Sequence, residues 1–275
     1  MKARKLIEIA AGELSAAHIE EPAREARAAL AGFLNLTPTG VLLEDIPRDK
    51  VDEFEVIIQR RISGEPLQTI LGRWDFYGRE LELRPGVFIP RPETEGLVEL
   101  AVTRIPDRRI RGLEVGVGSG AISVTLLIEK PRLELVGTDI SAEALNLTGI
   151  NAAKYGVANR LTLLRTSLTG GISGEFDFII SNPPYVETRE MSELSPEVRR
   201  DPGAALDGGR DGLELIAQLI SESRGLLKPG GFLLMEIHEK KGSEIRELLG
   251  GSGLRDMSIE KDLSGRDRYA IATKE

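Results

Sequence analysis

The sequence predicts an α/β protein: a Rossmann-like, mostly parallel sheet covered by helices on both faces, preceded by a small helical bundle and a β-hairpin linker. Three observations carry this. In the larger, C-terminal part, short apolar runs alternate with helix-length segments, the pattern of βαβ units. One run opens into the glycine-rich turn Gly116-Val117-Gly118-Ser119-Gly120, and another, Phe176-Asp177-Phe178-Ile179-Ile180-Ser181, breaks abruptly into Asn182-Pro183-Pro184-Tyr185. Residues 1 to about 64 instead carry helical periodicity throughout.

The bundle, residues 1–64, shows three apolar faces: Leu6, Ile9, Ala10 and Leu14; Ala23, Ala26, Leu30, Phe33 and Leu34; and Val51, Phe54, Ile57 and Ile58. Breaks fall at Glu21-Pro22, Thr37-Pro38-Thr39-Gly40 and Ile46-Pro47, where proline or glycine disfavours continuation. Across 65–90, β-forming residues flank Gly78-Arg79, which predicts a hairpin linking two domains, with Trp74 packed in it. The third segment, 91–275, is entered through Ile89-Pro90-Arg91-Pro92-Glu93-Thr94-Glu95, in which two prolines bracket an arginine. Its prolines stiffen the chain, and its acidic residues fall in a first helical turn, where the dipole favours them. Further strands are expected at 133–138, 161–164, 176–180 and 231–237, with helices near 141–156 and 211–226. The tail adds edge strands around Ser258 and Tyr269, one of them antiparallel.

Composition narrows the function classes. At 275 residues the chain has room for one large domain and a small one. The net charge of −8, with no basic stripe, argues against duplex nucleic acid as a stable partner. Without cysteine there is no disulfide, thiolate nucleophile or Cys-based zinc site, and His18 and His238 lie far apart, so no metal is expected. The start MKARKLIEIA lacks the apolar core of a signal peptide, and no run approaches a membrane span. A soluble, cytoplasmic protein is expected.

The glycine turn carries the cofactor signal. Glycines permit a tight turn and close backbone approach of a ligand. The next strand ends in Asp139, nineteen residues beyond Gly120, a spacing at which a carboxylate can hydrogen-bond the hydroxyls of an adenosine ribose. Gly116, Gly118 and Ala121 fit a dinucleotide fingerprint, whereas Glu114-x-Gly-x-Gly-x-Gly fits the loop that binds S-adenosylmethionine. A pyrophosphate needs helix N-terminal amides, while a sulfonium cofactor brings a cation, for which a carboxylate in the strand is useful. Glu114 tilts the choice toward the sulfonium.

The second signal is the Asn-Pro-Pro-Tyr corner. Two prolines fix φ and remove two N–H donors, which frees carbonyls to accept hydrogen bonds from elsewhere. Asn182 adds a side-chain oxygen and Tyr185 a flat ring. Acceptors beside an aromatic plane suit a planar NH2 group, as in a carboxamide or the exocyclic amine of a base; the plainer reading is a strand-ending turn.

In this order, the glycine loop, acidic strand end and Asn-Pro-Pro-Tyr resemble the amino-directed S-adenosylmethionine-dependent methyltransferases. More narrowly, Glu65-Pro66-Leu67-Gln68, Ile89-Pro90-Arg91-Pro92-Glu93-Thr94-Glu95, Ala205-Leu206-Asp207-Gly208-Gly209 and Asp262-Leu263-Ser264-Gly265-Arg266-Asp267-Arg268 are similar to segments of the HemK/PrmC family, glutamine N5-methyltransferases of peptide chain release factors. The resemblance implies a seven-stranded S-adenosylmethionine-dependent methyltransferase domain, with S-adenosylhomocysteine as product. It places the cofactor along Glu114, Gly116, Val117, Gly118, Ser119 and Gly120, its ribose at Asp139, with Asn182 also touching it, and the target glutamine at Asn182, Pro183, Pro184 and Tyr185, with Asn182, Pro183 and Tyr185 as catalytic residues. It also implies that the helical domain grips the release factor. Glu114 and Val117 stand where the family more usually has Asp and Thr. Thr166-Ser167-Leu168 replaces a common Asp-Trp-Phe, which leaves Ser167 for the adenine. Two alternatives stay open: an adenine-N6 nucleic-acid methyltransferase, which shares Asn-Pro-Pro-Tyr, and a glutamine methyltransferase acting on a ribosomal protein. A nicotinamide oxidoreductase lacks a proton-relay His or Lys.

Overall fold

Proline and glycine punctuate the N-terminal helices where the sequence places the breaks. In the computed structural model, which describes residues 1–275, α1 (Ala3–Ala16), α2 (Pro22–Leu34), α3 (Arg48–Ile62) and the short α4 (Leu67–Leu71) pack around Leu14, Leu30, Phe54 and Ile58. Pro22 opens α2, where its missing N–H costs nothing. The inward face of α1 is Ala3, Leu6, Ile7, Ala10 and Leu14; Ile9, expected inside, is 41% exposed. Ile7 lies one turn from Ala3 and Ala10 and so joins the buried stripe, whereas Ile9 points to the opposite side.

By contacts the chain forms two compact units, Met1–Trp74 with Pro196–Arg200, and Asp75–Ser195 with Asp201–Glu275. Within the first, Arg61 bridges Glu25 and Glu197 at 2.6 Å each, which ties the short 196–200 segment to α2 and α3. The division falls inside β1 (Arg73–Phe76), which pairs with β2 (Arg79–Glu82) as a two-stranded hairpin turning at Tyr77 and Gly78, both with positive φ.

In the second unit, α5 (Glu93–Arg104) leads into β3 (Ile110–Val115), α6 (Ala121–Glu129), β4 (Leu133–Asp139), α7 (Ala142–Lys154), β5 (Leu161–Arg165), β6 (Phe176–Ser181), α8 (Glu214–Leu226), β7 (Leu227–Glu236), α9 (Gly242–Gly251), β8 (Arg255–Lys261) and β9 (Asp267–Thr273). The sheet order is β5-β4-β3-β6-β7-β9-β8, parallel up to β7 and antiparallel for both pairs involving β9. Two buried layers flank it. Leu97, Leu126, Phe178 and Leu234 lie on one side, and Leu113, Ile179, Ile216 and Leu233 on the other. Each such large apolar side chain, removed from water, contributes roughly 1.5–3 kcal/mol.

Two local expectations change and one holds. β7 starts at Leu227 rather than after Gly230, because Leu227 pairs with Phe176 and the register between β6 and β7 shifts between Phe176 and Phe178. Of the two tail strands, β9 alone runs against the sheet, as expected; β8, antiparallel to β9, takes up the common direction again. Glu95 does more than complement the α5 dipole: its Oε1 accepts the Tyr77 amide at 2.8 Å, which ties the hairpin turn to the helix. No helix is long and apolar enough to cross a membrane.

Candidate active site

The order reverses between β3, whose next strand β4 lies on one side, and β6 on the other, and a crevice opens at their C-terminal ends. Its first wall is the turn after β3. Gly116 and Gly118 hold φ of +78° and +55°, and a Cβ on either would meet no protein atom within 4 Å. These two positions therefore expose bare backbone to open space. The turn is pinned from behind: the Gly116 and Val117 amides donate to the Thr138 carbonyl at 2.8 and 3.0 Å. From α7, the Thr148 hydroxyl donates to the Gly118 carbonyl at 3.0 Å and the Asn151 amide to the Ser119 carbonyl at 2.9 Å.

Asp139 closes that wall. One of its carboxylate oxygens accepts the Gly118 amide at 3.0 Å and the other the Ser141 amide at 2.9 Å, which orients both toward the loop. Below it, Glu114 is fully buried. The Ser123 hydroxyl donates to its Oε2, and Oε1 has no partner. Burial, reinforced by the charge of Asp139, pushes the Glu114 carboxyl up to about 8. An unpaired buried carboxyl oxygen is costly, and a cationic ligand group above it would relieve that cost.

The opposite wall is the corner after β6. Ser181 anchors it, its hydroxyl donating to the Val115 carbonyl at 2.7 Å. Asn182 Nδ2 donates to Thr94 Oγ1 at 3.1 Å, and Thr94 Oγ1 in turn donates to Glu236 Oε2 at 2.7 Å. The Pro183 carbonyl accepts no backbone hydrogen bond. Tyr185 turns behind the corner. Its hydroxyl reaches Glu236 Oε1 at 3.4 Å, and its ring meets His238 edge-on at 5.9 Å. Burial, with the Glu236 charge adding, pushes the Tyr185 phenol well above its usual value. Burial pushes Glu236 itself up to about 7; Thr94, Arg268 and Tyr185 pull the other way.

Two further segments hold the corner rigid. The Val186 amide donates to the Leu206 carbonyl and the Gly208 amide to the Val186 carbonyl, forming a parallel bridge between Val186 and Asp207. A Cβ on Gly208 would lie 2.7 Å from the Pro184 carbonyl oxygen, and one on Gly212 only 2.4 Å from that of Tyr185, so glycine alone fits at both. Arg91 pairs with Asp201, whose Oδ1 also accepts the Ile89 amide at 3.3 Å.

Between the walls lies a cavity of about 290 Å³. Glu114, Gly116, Val117, Gly118, Ser119, Asp139, Ser167, Asn182, Pro183 and Pro184 all line it. Gly120 and Tyr185 do not: Gly120 packs on Thr148, and Tyr185 faces Glu236. Phe88, Thr94, Leu168 and Ala205 also line the wall, and Glu236 stands directly behind it. Periodicity gave no signal for these. The one clue in the sequence is a carboxylate, Glu236, within the apolar run 231–237. No group of three or more His, Asp or Glu side chains is arranged to hold a metal ion.

The arrangement can hold a nucleoside-bearing cation on the glycine loop and a flat, N–H-bearing group against Asn182. Residues 81–198 match the model of the methyltransferase small domain, and residues 5–72 that of the PrmC N-terminal domain. The chain is 37% identical over 276 residues to a release factor glutamine methyltransferase of Cereibacter sphaeroides, covering 99% of this chain and 98% of that one. It superposes on a methyltransferase from Pyrococcus furiosus with a TM-score of 0.55 at 18% identity, over 81% of this chain and 98% of that one. A 16S rRNA N2 G1207 methyltransferase from T. thermophilus, solved with AdoMet and guanosine, gives 0.54 at 19% identity over 74% and 50%. At those identities the structural likeness speaks for the fold alone.

Proposed function

This chain belongs to the release factor glutamine methyltransferase family, and from that membership we propose that it transfers a methyl group from S-adenosylmethionine to the side-chain amide nitrogen, N5, of a glutamine in a peptide chain release factor. The single observation that carries the reading is the pairing of two unsatisfied features across one cavity: the orphan Glu114 oxygen at the loop, and Asn182 with a free amide edge at the corner.

The residues fit the cofactor. Gly116 and Gly118 leave room for its methionine part to lie against the backbone, Asp139 is placed for a ribose, and Ser167 and Leu168 for the base. Glu114 answers its positive charge. When bound, S-adenosylmethionine supplies a methyl group on a sulfonium; transfer forms an N–C bond, breaks the C–S bond, leaves a neutral thioether and releases one amide proton.

The protein's task is then positioning. An amide nitrogen is a weak nucleophile because its lone pair is delocalised. The Asn182 side-chain oxygen and the Pro183 carbonyl accept its N–H groups, hold it in line and push electron density onto nitrogen. Orientation of this kind is worth up to about 7–11 kcal/mol in favourable systems. Pro183 and Pro184 keep the acceptors from rotating away, and Tyr185 braces the corner from behind. The helical unit 1–64 serves to grip the protein substrate, the hairpin region 65–90 links it, and 91–275 carries the chemistry. The reaction belongs in the cytoplasm, where release factors act.

Incubation with methyl-labelled cofactor and purified release factor, followed by mass-spectrometric mapping, tests this. N5-methylglutamine in the release factor is the expected product. Label found only in a ribosomal protein or an oligonucleotide overturns the substrate assignment.

A further inference from the structure

Asn182 presents a carboxamide, whose two ends have similar shape and differ in what they offer: one accepts, the other donates. Which end faces the cavity is decided by its neighbour. Thr94 Oγ1 carries one proton, and that proton is committed to Glu236 Oε2 at 2.7 Å. The same oxygen can therefore meet Asn182 only as an acceptor, and it takes the Nδ2 proton at 3.1 Å. The Asn182 oxygen is left on the opposite edge of the amide, at the cavity wall.

We propose that Thr94 and Glu236 are positioning residues for methyl transfer: a buried carboxylate makes Thr94 an acceptor, Thr94 holds the Asn182 NH2, and Asn182 is thereby locked with its acceptor toward the incoming amide. This rests on the glutamine N5 reading of the site and extends it to a residue behind the wall. A reversed Asn182 would set N–H donors against the N–H donors of the substrate, which neither holds nor activates it. The two residues behind Asn182 are almost wholly buried: Thr94 is 3% and Glu236 1% exposed. In a dry setting the sense of a hydrogen-bonded chain is strongly enforced.

The lock also depends on charge. Glu236 is faced by Thr94 and Glu93 from α5, by Tyr185 from the corner, and by Arg268 and Tyr269 from β9. A proton added to its carboxyl can be donated to Thr94, which frees the Thr94 hydroxyl to donate to Asn182 and draws the wrong end of the amide toward it. With the group titrating at about 7, turnover should fall on the acid side of neutrality.

The test compares Thr94→Val, which keeps shape and removes the hydroxyl, with Thr94→Ser, which keeps the hydroxyl. Thr94→Val should lower kcat about 10- to 100-fold, with KM for release factor and S-adenosylhomocysteine affinity changed less than about threefold. Thr94→Ser should return kcat to within about threefold of wild type, and Glu236→Gln should flatten the acid limb of the pH profile. In parallel, the side-chain NH2 signals of Asn182 are followed by 15N NMR in protein saturated with S-adenosylhomocysteine. One proton should be protected from exchange in wild type and unprotected in Thr94→Val. Turnover of Thr94→Val within threefold of wild type, equal loss in Thr94→Ser, or an unprotected wild-type NH2 overturns the inference. Wild-type protein that fails to methylate release factor removes the substrate reading instead, and the NMR comparison still decides how Asn182 is held.

Discussion

The guanidinium of Arg91 pairs with the carboxylate of Asp201, 110 residues further along the chain, and only 2% of that acid's side-chain surface is exposed. The pair fastens the stretch before α5 to the segment that supplies Ala205 to the cavity wall. A buried charge that loses its partner is expensive, typically about 3–5 kcal/mol. Arg91 is partly open to solvent, so Arg91→Ala should lower stability by about 2–3 kcal/mol in a urea titration. A change below about 0.5 kcal/mol would mean that the pair does not hold this segment.

Glu114 should make the ligand-free protein less stable as the pH rises. Its folded-state value of about 8 lies above the ordinary 4.5, so its contribution is complete below pH 4.5 and is lost as the pH climbs through 8. Between pH 6 and 8.5, wild type should lose about 2 kcal/mol relative to Glu114→Gln, which cannot ionise. Parallel urea midpoints for the two proteins would contradict the assignment.

Asn182→Ala should abolish most methyl transfer, by about 100-fold or more, while S-adenosylhomocysteine binds within a few-fold of wild type. Single-turnover rates and calorimetry separate the two effects. Near-normal transfer would sink the role given to the corner.

Gly116→Ala puts a methyl group into the open space over the loop at a φ of +78°. The backbone strain alone is about 1–2 kcal/mol. Cofactor affinity should fall further than stability does, by about tenfold or more, since the added carbon occupies ligand space. Unchanged affinity in a calorimetric titration would place the ligand elsewhere.

Much of the site was legible because it is local in sequence. The glycine turn and Asp139 sit at a spacing set by one βαβ unit, and Asn182-Pro183-Pro184 declares its rigidity through residue type. The Arg91–Glu95 stretch carries part of the family resemblance, yet its purpose is not readable from residue types. Arg91 answers Asp201, Thr94 answers Glu236, and Glu95 answers Tyr77, partners that only the folded sheet brings near. Tyr185 shows the opposite error of scale. An aromatic beside a polar corner suggests a stacking platform, but the ring lies behind the wall, toward Glu236 and His238. The misjudged Ile9 and the early start of β7 have a common cause: periodicity identifies an element but does not fix which neighbour it packs against.

The irregular pairing of β6 with β7 makes the strand a ruler for the chemistry at its far end. Beyond the irregularity the two strands run in step until Ser181 meets Met235, and the next residue on each is Asn182 and Glu236. Side chains alternate, so removing one residue from β7 after Phe232 would bring a different side chain to the level of Thr94 and rotate the carboxylate to the other face. An extra residue near Lys228, where the strands are already out of step, could be absorbed. Length is therefore tightly constrained over the last turn of sheet before the corner and comparatively free at its origin.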